Sequence, residues 1–405
     1  MGDTGCPLDR KAATTRWPCW IEVDLDAIRH NVAAIRGLLD PDCQVMAVVK
    51  SQAYGHGMVA VARAAVEAGA SWLGVARVRE GVQLRDAGFD GPILLLGPVV
   101  RAEVPLLVAR DLRPTVVSDG LAREISAAAV SLGRVVRVHL KVDTGLGRYG
   151  ASLEEVNRLA RVVDSLPGLQ LEGLYSHFAT ADEVDGSYAA SQLQGFHAAR
   201  LAMEREGFRF SVVHMAASGG TLGVAGSHFN LVRLGLSLYG LYPAPHLVGR
   251  AKLSPALSLH SSVARVFTLQ PGQSVGYGRT FVATLPVQAA LVPVGYADGL
   301  PRSHSNRGCV LVNGRRAPLI GRVSMDQCVA DVSQCGTVQV GDPVVLIGRQ
   351  GQERISCEEF AERSGTISYE VVTSLGYRVP RVYLSGGAVE CVAYLDEGRI
   401  EEWQV

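Results

Sequence analysis

A chain of 405 residues is longer than one hydrophobic core usually supports, so two domains are expected. Hydrophobic residues make up 48% and charged residues 19%, the balance of an ordered globular protein rather than a disordered one. Lys and Arg (39) equal Asp and Glu (39), which leaves no net field to recruit nucleic acid or an anionic membrane and makes a small molecule the expected partner.

Residues 1–19 read as an N-terminal extension, with Pro7, Asp9, Arg10, Lys11 and Arg16 but no apolar run able to serve as a signal-peptide core. No later stretch is long and uncharged enough to span a bilayer. The eight cysteines are scattered without C-x-x-C pairs, so neither a metal site nor a disulfide framework is indicated. The expectation is a cytoplasmic protein with reduced thiols and no membrane contact.

Trp20 to Val23 precedes the first helix and can pair with either domain. From Asp26, read as an N-cap, the apolar positions Ile28, Val32, Ile35 and Leu39 have helical spacing. Short apolar runs then alternate with amphipathic stretches. Strands are expected at Val45 to Val49, Trp72 to Ala76, Ile93 to Leu96, Pro114 to Val117, Val135 to Val142, Leu169 to Leu174, Phe210 to His214 and Leu231 to Leu234. Helices such as Val59 to Ala68, Leu153 to Val163 and Tyr188 to Glu204 fall between them. Eight such units predict a (β/α)8 TIM barrel over residues 20–257. Beyond it the texture changes to short β runs at Ser262 to Leu269, Ala289 to Pro293, Val310 to Val312 and Val344 to Ile347. Pro271-Gly272 and Asn313-Gly314 mark turns, predicting a C-terminal β-rich domain over residues 258–405.

The segment AVVKSQAYGHG places Lys50 at the carboxyl end of the first barrel strand, where barrel enzymes assemble their sites. An amine there can form a Schiff base with an aldehyde cofactor if its surroundings lower its pKa. Position alone leaves a solvated strand-end lysine equally open.

That segment resembles the cofactor-lysine motif of alanine racemases, with Ser51 and Gln52 where the family usually has Ala and Asn. Further blocks in family order are HLKVDTGLGRYG at 139–150, SHFATADE at 176–183, VRLGLSLYG at 232–240, VGYGRT at 275–280, VGYADG at 294–299, GRVSMDQ at 321–327 and ISYE at 367–370. Ordered blocks from Trp20 onward are far more specific than one motif. The resemblance implies a racemase using pyridoxal 5'-phosphate (PLP) on an amino acid, most simply alanine, and D-alanine supply for the cell wall. It implies that Lys50 carries the cofactor. Tyr54, Ser218, Gly235, Leu236 and Tyr369 would surround the phosphate, and Arg233 would meet the pyridine nitrogen. Because a guanidinium keeps its proton, that nitrogen would stay unprotonated and the ring would be a weaker electron sink, which limits side reactions.

Racemisation needs acid/base groups on both faces of Cα. Lys50 supplies one and Tyr277 the other, with His177 linking the tyrosine to the cofactor arginine. Arg148 corresponds to a contact for the cofactor's phenolic oxygen and the substrate carboxylate, and Lys141 to a lysine often carbamylated. Tyr296, Met325 and Asp326 correspond to residues that shape substrate access from a second subunit, so a homodimer with shared active sites is implied. Asp298, in the same block as Tyr296, reads equally as a turn residue.

Ser51-Gln52, Ser176 and Ala217 depart from the family pattern but remove no catalytic group. A serine or broad substrate preference within the family remains open. A PLP-dependent decarboxylase of related fold would place an acid where Arg233 stands. A non-catalytic PLP-binding protein would need neither the β domain nor Tyr277.

Overall fold

In the computed structural model, residues 16–394 are described, so most of the N-terminal extension lies outside the described residues. The chain divides into two compact units. One comprises Ala27–Ala53 and Met58–Pro255; the other comprises residues 16–26, Tyr54–Gly57 and residues 256–394.

Strand β1 (Cys19–Asp24) belongs to the second unit. The first unit holds a parallel sheet of eight strands: β2 (Gln44–Val48), β3 (Trp72–Val75), β4 (Ile93–Leu95), β5 (Arg113–Val116), β6 (Val136–Lys141), β7 (Leu169–Tyr175), β8 (Val212–His214) and β9 (Leu231–Leu234). Neighbours pair in chain order, and β9 returns to β2 with Val45 opposite Val232. An Ala217–Arg233 bridge joins the remaining gap between the segment after β8 and β9, so the ring is a TIM barrel. All eight expected strands form. Their apolar runs are continuous because strands covered on both faces need apolar residues at successive positions.

Helices lie between the strands, among them Met58–Glu67, Val156–Ser165 and Ser187–Arg205. Val156–Ser165 begins three residues later than the sequence pattern suggests. Ser152 and Glu155 hold the entry open: the Ser152 hydroxyl donates to Glu155 (2.9 Å) and accepts from the Glu155 amide (3.2 Å). The expected N-cap at Asp26 is corrected. The first helix spans Leu25–Arg36, and Asp24 caps it by accepting the Asp26 amide at 2.9 Å. The Asp26 carboxylate instead accepts from the Gly386 amide (2.6 Å).

The second unit is built on a large sheet containing β10 (Leu257–Ser262), β15 (Cys309–Val312), β16 (Arg315–Pro318), β18 (Pro343–Gln350), β20 (Arg381–Ser385) and β21 (Ala388–Ala393), with β19 (Glu353–Ile355) on β18. Strand β1 runs inside this sheet, antiparallel to β10 and parallel to β20. Trp20 there joins Val382, Leu384, Val389 and Val392 in one buried cluster. A second sheet contains β11 (Arg265–Leu269), β14 (Val287–Val292) and β17 (Cys328–Asp331), and β12 (Ser274–Val275) pairs with β13 (Phe281–Val282). The run expected as one strand from Ser262 to Leu269 is therefore two. The chain leaves the first sheet at Val263, whose amide bonds Asp342, and enters the second at Ala264, whose amide bonds Leu291. Asn313 and Gly314 form the expected two-residue turn between β15 and β16, with φ of 52° and 71°. Among the described residues no helix is long and apolar enough to cross a membrane.

Candidate active site

Lys50 follows directly on β2, and residues 51–54 then make a left-handed turn with φ between 52° and 54°. L-residues avoid that region, so outside bonds must hold it. The Ser51 amide donates to Glu80 Oε1 (2.6 Å), and Glu80 Oε2 accepts from the Ala76 and Arg77 amides after β3. Gln52 accepts from the Met58 amide (3.2 Å) through its side chain. Asparagine tolerates the left-handed region better than glutamine, so Gln52 adds strain that these bonds help to hold. Burial lowers the Lys50 pKa, Arg148 lowers it further, and Glu80 opposes them. A depressed pKa favours the neutral amine, the form able to attack an aldehyde.

Arg233, on β9, is buried. Its Nη1 donates to His214 Nδ1 (2.7 Å), and its Nη2 donates to the Ser176 and Met215 carbonyls and to His177 Nδ1 (2.9 Å). Among the described residues nothing accepts from Nε, which leaves that donor for a ligand. Burial lowers its pKa to about 10, still far above neutrality. Burial and then Arg233 hold His177 well below its ordinary value, so its imidazole is neutral and accepts from the guanidinium.

Lys141, at the end of β6, is pushed to a pKa of about 7 by burial and by Arg233 and Arg148. Arg148 is exposed at the end of the loop 143–150. Asp143 holds that loop by accepting from the Gly145, Gly147 and Arg148 amides; these bonds outweigh burial and keep its carboxyl below the usual range. Ser218 Oγ accepts from the Gly235 and Ser237 amides (both 3.1 Å) and so gathers Ser218, Gly235 and Leu236 into one turn. Ala217 caps the short helix Ser218–Gly223 without a side-chain bond. Ser176 is buried and donates to the Val142 carbonyl (2.8 Å), which gives its hydroxyl a structural partner.

The remaining residues lie in the β unit. Tyr54 and Tyr369 place their ring centroids 6.3 Å apart, and burial, then Tyr369, raises the Tyr54 pKa. Arg381, fully buried, binds the segment after Tyr54 by donating Nε to the Gly55 carbonyl (3.0 Å). A Cβ on Gly57 would overlap the Tyr383 hydroxyl, and one on Gly55 would overlap the Val372 carbonyl, so both glycines are required by close approach.

Tyr277 is 71% exposed, Tyr296 45% and Met325 53%. One strip of chain organises them. The Tyr296 and Ala297 amides bond Ser324 and Met325, while Gly276 and Gly278 lie against Arg322. Arg378 joins Asp298 (2.8 Å) to Asp326 (2.6 Å), and Asp298 also accepts from the Gly295 amide. Asp298 is thus a turn residue that also locks the strip. Glu80, Asp143, Arg378 and Arg381 escaped the sequence reading because their work is to bond backbone or carboxylates distant in the chain. For Asp143, its place within the 139–150 block was an available signal.

A strand-end lysine with a lowered pKa, a buried arginine whose Nε–H is free to donate and a turn of amides around Ser218 fit an aldehyde cofactor bearing a ring nitrogen and a phosphate. A barrel of this kind followed by a β domain defines the barrel class of PLP enzymes.

The comparisons agree. Residues 23–243 match the model of the alanine racemase N-terminal domain, and residues 256–383 match that of the C-terminal domain. The alanine racemase of Symbiobacterium thermophilum is 45% identical over 366 residues, 90% of this chain and 97% of that one. The crystal structure of Bacillus anthracis alanine racemase with bound L-Ala-P is 40% identical with a TM-score of 0.89, covering 93% of this chain and 97% of that one. The Bartonella henselae alanine racemase with covalently bound pyridoxal phosphate is 28% identical with a TM-score of 0.82, covering 91% and 100%. The chain belongs to the alanine racemase family, and it is a PLP-dependent racemase.

Proposed function

We propose that this chain interconverts L-alanine and D-alanine with Lys50 and Tyr277 as its two acid/base groups, in a homodimer where each site draws Tyr277 from the partner subunit. When bound, PLP supplies an electron sink that acidifies the α-hydrogen of the amino acid. Lys50 would hold the cofactor through Nζ, and the same amine is placed to exchange a proton with one face of Cα. Tyr277 exchanges a proton with the other face through Oη. An ordinary phenol has a pKa of about 10, so this role calls for cationic neighbours in the assembled site. His177, neutral and bonded to Arg233, is assigned to link Tyr277 to that charge.

Arg233 would offer Nε to the ring nitrogen and, by keeping its own proton, would make the ring a weaker electron sink. Ser218, Gly235 and Leu236 would hold the phosphate, a role that the family resemblance also gives to Tyr54 and Tyr369. Arg148 receives the substrate carboxylate by a two-pronged contact, and Tyr296, Met325 and Asp326 frame substrate access. Lys141, with a pKa of about 7, has enough neutral amine near neutrality to add carbon dioxide; as a carbamate it would pair with Arg148 instead of repelling it. Seven described cysteines are free thiols, which suits the cytoplasmic location expected from the sequence.

The observation that carries this reading is the Lys50 amine at the barrel mouth, its pKa lowered by burial and by Arg148. Borohydride reduction of the holoenzyme followed by peptide mapping should place the cofactor on Lys50. The reduced, inactivated protein carrying it on another lysine would refute the assignment. Racemisation measured over a panel of L-amino acids should show alanine turned over fastest, and serine in its place would redirect the substrate assignment.

A further inference from the structure

Behind Arg233 the barrel contains a hydrogen-bonded chain that the steps above do not use. His214 accepts from Arg233 at Nδ1, and its Nε2 lies 3.1 Å from His139 Nδ1. His139 Nε2 lies 3.2 Å from Glu172 Oε2. Both imidazoles are fully buried. Beyond Glu172 stand Arg113 and Arg137, with ion-pair distances of 3.5 and 3.9 Å.

The local chain is shaped to make this row. Pairing between β6 and β7 runs Val138 to Leu171 and then His139 to Gly173, so the register slips by one residue at Glu172. Such a slip re-aims a side chain. The next residue is glycine because a Cβ on Gly173 would overlap the His139 ring. Tyr175 stacks on His214 at 4.5 Å and 7°, and the Trp72 edge meets His139 at 5.4 Å.

The protons in the row have only one arrangement. A guanidinium cannot accept, so His214 Nδ1 carries no proton. Burial, then Arg233, holds His214 well below its ordinary pKa, so its single proton sits on Nε2 and is donated to His139 Nδ1. Burial lowers His139 too, against the pull of Glu172, and its one proton sits on Nε2. Glu172 accepts it. Although burial raises the Glu172 carboxyl, the His139 bond, with Arg113 and Arg137, holds it below the usual range, so it is an anion. An acceptor at one end and a donor at the other thus demand the same tautomers.

We infer that Glu172 is a positioning residue for Arg233, acting through His139 and His214. It keeps His214 a strong acceptor, which turns Nη1 inward and leaves Nε for the ligand. This rests on the reading of Arg233 given above, but the nitrogen NMR part of the test does not need the cofactor.

Histidine side-chain nitrogen NMR on isotope-labelled apoprotein should show His139 and His214 neutral, each with its proton on Nε2. Replacing Arg233→Glu puts an acceptor at both ends, so the pair must take up one proton and one ring should become an imidazolium. In the double variant Arg233→Glu/Glu172→Leu, both rings should return to neutral with their protons moved to Nδ1. Glu172→Leu in the holoenzyme should lower kcat/KM about tenfold, whereas Glu172→Gln, which keeps an acceptor oxygen, should lose less. An Nδ1 proton on either ring of the wild type, no proton uptake in Arg233→Glu, or unchanged kcat/KM in Glu172→Leu would overturn the inference. Failure of the Arg233 reading would look different: the Arg233→Glu holoenzyme would match wild type in cofactor absorbance and racemisation while the nitrogen signals still shifted as described.

Discussion

Lys141→Met should stabilise the apoprotein, and more so at low pH. The lysine is 5% exposed, and burial, then Arg233 and Arg148 with a smaller share from Lys50, brings its pKa from 10.5 to about 7. Because the folded pKa lies below the unfolded one, the unfolded chain binds more protons between those values, and stability rises with pH across that window. The penalty is complete below pH 7 and disappears as pH climbs through 10.5. At about 1.4 kcal/mol per pH unit it is capped near roughly 5 kcal/mol at low pH and near roughly 2 kcal/mol two pH units above the folded pKa. Methionine fills similar volume without charge. It forfeits the cation's contacts with the Tyr149 and Tyr175 rings at 5.5 and 5.4 Å, so the net gain falls short of the cap. Urea unfolding of both apoproteins in degassed buffer, from acid to alkaline pH, measures the difference directly. We expect the advantage of the variant to shrink by up to about 3 kcal/mol as the buffer moves from acid to two units above the folded pKa. Labelled bicarbonate should convert the wild-type lysine to a carbamate and flatten the trend. A variant less stable than wild type by the same amount at every pH would refute the charge argument.

Two further substitutions probe the supports of the site. Gly57→Ala meets both the Tyr383 hydroxyl and a φ of +96°, so urea unfolding should show a loss of about 2 kcal/mol or more; a loss below about 0.5 kcal/mol would mean the segment relaxes freely. Arg378→Met leaves the buried Asp298 without its cation and frees Asp326, so stability should fall by about 1–3 kcal/mol and KM for alanine should rise; unchanged KM would detach this pair from substrate access.

The eight barrel strands were legible because each is a short apolar run bounded by turn residues, and double-sided burial writes that pattern directly into sequence. The break at Val263 was not, since a strand that changes sheets keeps the same apolar texture on both sides of the joint. Asp26 looked like a cap by type and position, but Asp24 sits one residue before the helix and takes the amide. Lys50, Arg233 and Tyr277 stood out through their flanking blocks. The left-handed turn at 51–54 did not, because nothing in Ser-Gln-Ala announces it and the bonds that enforce it come from Glu80 and Met58. Glu172, His139 and His214 read as ordinary strand residues until the register slip in β7 lines them up behind Arg233.

The shared site is the central claim, and subunit exchange tests it most directly. Lys50→Ala and Tyr277→Phe proteins should each be nearly inactive alone. A mixed dimer holds one site with both defects and one with neither, so each mixed dimer should reach about half the wild-type activity. Verified mixed dimers that stay inactive, while wild-type protein survives the same procedure, would show that Tyr277 serves its own chain or does not act at the site at all.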